Sequence, residues 1–251
     1  SPTGHQIAIV DSARIKIYES TGLALSTLHG HDSLIHSPAY SPDGTRLLSA
    51  SEDGKVILWE THNGLELQSM NPPSRTGFAR FAPDGLRVIT VGEDGNVAIW
   101  NPNLTTIDHR IEEHEKQIRA LAINQPLQTI ATGDDDGIVI VKDTLSGELL
   151  HSFDVEESVS SLAFTPRGTR LFIGTRQGPS FVFDLETGKH SLTIEPGPAW
   201  STTISPDGET VLIAGASVWD LTTGKKRHSF ELDDRNGANA DGGTFSPDGL
   251  L

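Results

Sequence analysis

Three histidines are the first residues that could do chemistry. His29, His31 and His36 lie close together. Imidazoles two residues apart on a strand point the same way, as the converging ligands of a Zn²⁺ ion must. A second candidate is the run Asp134-Asp135-Asp136-Gly137. Its acids are consecutive, and the alternating spacing that lets carboxylates converge on Ca²⁺ is absent, so they read as turn positions. A third is the polar stretch from Leu232 to Gly243. It is the longest insert between repeats, and long loops on a rigid scaffold often carry function. Nucleophilic and phosphate chemistry find less support. There is no G-x-S-x-G, no phosphate-binding loop, no dinucleotide fingerprint and no cysteine. The expectation is a non-enzyme that needs no cofactor and no metal.

The elements that must position any site are announced by a repeated turn. Ser41-Pro42-Asp43-Gly44, Ala82-Pro83-Asp84-Gly85, Thr165-Pro166-Arg167-Gly168, Ser205-Pro206-Asp207-Gly208 and Ser246-Pro247-Asp248-Gly249 are copies of one tetrapeptide. Ser1-Pro2-Thr3-Gly4 is another, and Gln125-Pro126 marks a degenerate one. Proline presets φ, and Asp-Gly supplies the positions that tolerate positive φ. The copies start at residues 1, 41, 82, 165, 205 and 246. A period of about 40–45 residues marks a β-propeller of four-stranded blades.

One repeat predicts strands over Leu34 to Tyr40, Arg46 to Ser51, Val56 to Trp59 and Leu65 to Met70. The chain opens on a second strand (Gln6 to Val10), followed by Arg14 to Tyr18 and Leu23 to Leu28. It closes on a first strand at Thr244 and Phe245. The expected fold class is therefore an all-β propeller of four-stranded antiparallel blades. It would be one domain over residues 1–251, with the C-terminal strand completing the N-terminal blade. Six blades would close as the chain stands; the alternative is a fragment of a seven- or eight-bladed propeller.

Charge narrows the partners. Nineteen Lys and Arg against 34 Asp and Glu give a net charge of −15. Such a surface repels nucleic acid and anionic membranes and favours a basic partner. No segment is apolar enough for a membrane-spanning helix. A cytoplasmic, monomeric domain is expected. A removed signal peptide stays open, because the chain begins inside a repeat.

At Gly30-His31, Leu48-Ser49-Ala50-Ser51, Asp53-Gly54 and Leu58-Trp59-Glu60 the chain resembles the WD-repeat family, and the resemblance extends over essentially its whole length. It implies a hydrogen-bonded set of loop His, second-strand Ser or Thr, turn Asp and third-strand Trp. Carried over, this is His31, Ser49, Asp53 and Trp59. The third copy keeps Thr90, Asp94 and Trp100. The fourth keeps His114, Thr132 and Asp136, with Lys142 for Trp. Trp219 stands in a later copy whose turn is shortened at Ala214-Gly215-Ala216.

The resemblance also implies that one loop face docks proteins, through loops that carry Glu52, Glu93, Asp135 and, as a basic exception, Arg176. His36, Gly77, Arg119, Ser160, Trp200 and Asp241 stand four positions before the successive first-strand core residues Tyr40, Phe81, Ile123, Phe164, Ile204 and Phe245. They would ring the mouth of the central channel. The expected function is a non-catalytic scaffold that docks a protein or peptide there. The alternatives are a regulatory or sensor propeller of a larger polypeptide, and a small-ligand or enzymatic site in the channel.

Overall fold

A computed structural model describes residues 1–36, 38–82, 84–92, 94, 96–101, 103, 106–111, 113–124, 126–195, 197–213, 217–230 and 243–246. Every regular element among them is a strand. The chain divides into two compact units, Ser1–Gln117 and Ile118–Leu251.

The first unit holds three antiparallel sheets. One contains β1 (Gln6–Asp11), β2 (Arg14–Glu19) and β3 (Ala24–His29). The next contains β4 (Ala39–Tyr40), β5 (Arg46–Ala50), β6 (Val56–Glu60) and β7 (Glu66–Met70). The third contains β8 (Thr76–Phe81), β9 (Val88–Gly92), β10 (Val97–Asn101) and β11 (Thr106–Ile111). The second unit repeats the pattern. Its first sheet holds β12 (Ile118–Asn124), β13 (Thr129–Asp134), β14 (Ile138–Asp143) and β15 (Leu149–Asp154). Then come β16 (Val159–Phe164), β17 (Arg170–Thr175), β18 (Ser180–Asp184) and β19 (Lys189–Ile194). Last are β20 (Thr202–Ile204), β21 (Thr210–Ile213), β22 (Ser217–Asp220) and β23 (Lys226–Ser229). In each sheet, strands adjacent in sequence are adjacent in space. The fold class is the all-β one expected, a β-propeller of four-stranded antiparallel blades.

Middle strands are buried on both faces, so apolar residues run consecutively along them. Leu47 belongs to the core that includes Ile15, Ile17 and Leu28, whereas Leu48 belongs to the core that includes Val88 and Trp100. One strand thus feeds two cores, because successive side chains leave opposite faces of a sheet. In the second unit the same role falls to Leu171 and Phe172.

Two strand expectations need correction. The first strand of the second repeat shrinks to Ala39–Tyr40, with a single bridge from Ile35 to Ser51. Pro38 has no N–H to give a ladder, which accounts for the break. Thr244 and Phe245 carry no strand. Phe245 is buried with Leu212 and Val218, and the Thr203 hydroxyl donates to the Gly243 carbonyl at 2.8 Å.

A feature invisible in the sequence is a bulge between the last two strands of every sheet. The register slips at Ile17/Tyr18, Leu58/Trp59, Ile99/Trp100, Val141/Lys142, Val182/Phe183 and Val218/Trp219. One extra residue at that point bends the strand and re-aims the side chain beside it.

The repeated turns also join neighbouring sheets. Within the first unit, the Cβ position of Gly85 lies 3.2 Å from Pro42 Cδ, and that of Gly44 lies 3.7 Å from Pro2 Cδ. Within the second, Gly208 stands 3.2 Å from Pro166 Cδ by the same measure. Asn124 packs against Gly168, where the preceding copy of the turn is degenerate. Arginines fasten the same joints. Arg46 donates to the Gly85 carbonyl, and Arg170 donates to the carbonyls of Leu221 (3.0 Å) and Gly208 (3.1 Å).

Candidate functional site

The second repeat brings its polar set together inside the sheet. Ser49 projects from β5 and Trp59 from β6, and the loop before β4 supplies His31. Trp59 Nε1 donates to Ser49 Oγ at 2.8 Å. Ser49 Oγ also lies 2.8 Å from His31 Nε2, and His31 Nδ1 lies 2.8 Å from Asp53 Oδ2. Trp59 can only donate, so Ser49 Oγ accepts from it; a neutral His31 then takes the Ser49 hydroxyl hydrogen at Nε2 and gives its Nδ1–H to the carboxylate. Asp53 also accepts the backbone N–H groups of Asp32 and Lys55, at 3.0 and 2.9 Å. Burial alone would raise its pKa; those two N–H groups and the His31 ring together outweigh that and hold it below the usual carboxylate value.

Other repeats keep parts of the set. Trp100 Nε1 donates to Thr90 Oγ1 at 2.9 Å, and Ser74 takes the histidine's place on Asp94 at 2.7 Å. His114 and Thr132 are buried. In that fourth repeat a further carboxylate is used, one absent from the expected set. Asp134 is buried and accepts the N–H groups of Asp136 (3.0 Å) and Ile138 (2.9 Å). Lys142 is buried at the tryptophan position, opposite Ile130 as Trp59 is opposite Leu47. Trp219 finds a partner on its own strand. It donates to Ser217 Oγ at 2.8 Å, because Ile213 stands where Ser49 stands in the second repeat. The turn at Ala214-Gly215-Ala216 lies outside the described residues. The His31, Ser49 and Trp59 set, the Thr90–Trp100 pair and the Ser217–Trp219 pair satisfy one another internally, which is what burial of polar atoms requires. The first two hold neighbouring strands of their sheets to one another.

The surface candidates divide between the units. In the first, His36 Nε2 lies 3.2 Å from Glu52 Oε1, with both side chains well exposed. Arg75 donates to the Glu52 carbonyl at 3.2 Å. In the second, Arg119, Ser158, Val159, Ser160, Arg176 and Trp200 line one recess of about 180 Å³. Arg119, Ser160 and Trp200 are three consecutive members of the four-before-core series. Arg119 Nε and Nη2 grip the Asp135 carboxylate at 2.7–2.9 Å, and the Ser158 hydroxyl donates to it at 3.0 Å. The Arg119 bonds hold the Asp135 carboxyl below its usual range against the opposing pull of partial burial. The Arg176 guanidinium lies over the Trp200 ring, 5.1 Å from its centroid. Glu93 lies outside the described residues, as does the stretch from Leu232 to Gly242, which includes Asp241.

No group of three His, Cys, Asp or Glu among the described residues is placed to hold a metal ion. His31 is occupied with Ser49 and Asp53, and His36 with Glu52.

The model of the WD domain, G-beta repeat, matches residues 22–60, 76–101 and 105–143. Eukaryotic translation initiation factor 3 subunit I of Pyricularia oryzae is 23% identical over 228 residues, 82% of this chain and 54% of that protein. The guanine nucleotide-binding protein subunit beta of Oryza sativa subsp. indica is 26% identical over 62% of this chain and 46% of its own length. Intraflagellar transport protein 122 homolog of Homo sapiens is 34% identical over 28% of this chain and 7% of its own length. The chain thus spans about half the length of the first and second of these relatives and a small part of the third.

Proposed function

We propose that this chain, a member of the WD-repeat family, is a non-catalytic scaffold whose second unit docks a protein or peptide at the recess beside Trp200. One observation carries the reading. Of the four tryptophans, Trp59, Trp100 and Trp219 are buried with their Nε1 groups bonded inside the sheets, and Trp200 is 54% exposed. An exposed tryptophan costs solubility, and tryptophan and arginine are the side chains most enriched where binding energy concentrates. Trp200 has Arg176 against its ring and Arg119 in the same recess. The relatives support a scaffold role, since two of them are named as subunits. No histidine lines the recess; the Ser158 hydroxyl donates to a carboxylate that Arg119 already holds, and the Ser160 hydroxyl donates to backbone carbonyls.

The test is affinity capture from native cell extract with the wild-type chain and Trp200→Ala, after their melting curves have been matched. A protein retained by the wild type and lost by the variant supports the reading. Equal retention of every captured protein by the two chains removes the docking site from Trp200.

A further inference from the structure

We infer that the recess takes a carboxylate side chain of a docked peptide, with Arg176 as its ion partner. The inference rests on the docking reading above and adds the chemistry of the anchor.

The charges in the recess do not balance. The Arg119 charge is paired: two of its nitrogens hold Asp135, and the Ser158 hydroxyl also donates to that carboxylate. The Arg176 guanidinium lies on Trp200 and makes no hydrogen bond or ion pair with any described residue. The exposed Glu157 packs against Gly178, two residues along, without forming an ion pair to Arg176. Two guanidinium groups therefore face one carboxylate, a local surplus of positive charge in a chain of net charge −15.

The remaining donors point to the same ligand. The Ser160 hydroxyl donates to the Ala199 carbonyl at 2.9 Å, so it has no hydrogen left for a guest. The Trp200 ring, apart from its one N–H, and the Val159 side chain are apolar. The donors that remain are those of Arg176, the unused N–H groups of Arg119 and the Trp200 indole N–H, and a guanidinium fork suits a carboxylate. An ammonium group would meet two guanidinium groups there, and a neutral amide would leave the surplus charge unanswered. Size limits the guest further. A recess of about 180 Å³ is comparable to the ~150 Å³ cavity that holds a benzene ring, which is room for one side chain. A glutamate fits both parts, its methylenes against Trp200 and its carboxylate toward Arg176. The anchor is therefore acidic, although the net charge of the chain favours a basic partner overall.

Two measurements test this. The first probes wild type, Arg176→Gln and Trp200→Ala with a peptide array of randomised flanks around a fixed central Glu, Gln or Lys. The wild type is expected to retain Glu-centred peptides on the order of tenfold better than Gln-centred ones, the scale of one charge-assisted bond. Arg176→Gln should erase that preference and keep the Gln-centred binding. Equal retention of Glu and Gln, or a preference for Lys, overturns the carboxylate anchor and leaves docking intact. Retention indifferent to Trp200→Ala overturns both. The second needs no peptide. Trp200 fluorescence should be quenched more by iodide than by caesium, and Arg176→Gln should narrow the difference while leaving acrylamide quenching unchanged. Caesium quenching above iodide in the wild type would also overturn the inference.

Discussion

His31 and Trp59 are held to each other by one atom. His31 Nε2 and Trp59 Nε1 both lie 2.8 Å from Ser49 Oγ, with the two rings edge-on at 6.4 Å. Ser49→Ala therefore strands two buried nitrogens at once, and a cost of about 2–4 kcal/mol is expected. Thr90→Val strands only Trp100 Nε1 and should cost about 1–2 kcal/mol. Urea denaturation of the two variants checks the ordering. Equal losses would mean that Ser49 is not the hub.

Gly137 is a second point of rigidity. Its φ is +92°, and an added Cβ would lie 2.8 Å from the Glu157 backbone N and 2.9 Å from its carbonyl oxygen. Backbone cannot step aside as a side-chain tip can. Gly137→Ala is expected to lose more than the ~1 kcal/mol typical of the positive-φ penalty alone. Thermal melting checks this, and a melt within a degree of wild type would show that the loop at Glu156 and Glu157 yields.

Arg170 spans from its own sheet to two carbonyls, Leu221 and Gly208. Arg170→Ala should cost about 1–2 kcal/mol. Arg170→Lys should recover less than half, because an ammonium cannot reproduce the fork that meets both oxygens. Full recovery by lysine would reduce the role of Arg170 to its charge.

Acid should unfold the protein through its paired aspartates. Asp53 and Asp135 are held below their ordinary values when folded. The unfolded chain, with aspartates near about 3.9, then binds more protons than the folded one as pH falls. Their contribution is complete above that unfolded value and is lost as pH drops through the folded ones. Melting temperature should be level above about pH 5 and fall steeply below about pH 4. Asp53→Asn should lower the plateau and flatten the acid limb. Asp135→Asn should do little at neutral pH, since exposed pairs contribute ~0–1 kcal/mol. Melts from pH 3 to 7 separate the two.

The fold was legible because the turn chemistry is local. Pro, Asp and Gly at fixed places declare a hairpin wherever they occur, and the alternation of strands follows. The His31–Ser49–Asp53–Trp59 set was legible for the same reason, since every member sits at a fixed offset within one repeat. What depends on another repeat was hidden. Arg46 and Arg170 each spend the guanidinium on a neighbouring turn, which no pattern within their own repeat announces. Asp134 read as an acidic loop residue, and the bend of its turn draws it inward to hold two N–H groups. The pairing of Arg119 with Asp135, and of Arg176 with Trp200, joins residues 16 and 24 positions apart. The first offset also joins His36 to Glu52 within one repeat; the second crosses from one repeat to the next.

The packing of Gly85 on Pro42 and of Gly208 on Pro166 has a genealogical consequence. The tetrapeptide turn carries both halves of a joint, a proline that offers a surface and a glycine that receives one. A duplicated repeat therefore arrives already able to fasten to the copy before it and the copy after it. Such a chain can grow by copying, without first inventing a contact. A turn that decays, as at Gln125-Pro126, leaves its neighbour to find a substitute, and Asn124 against Gly168 is that repair.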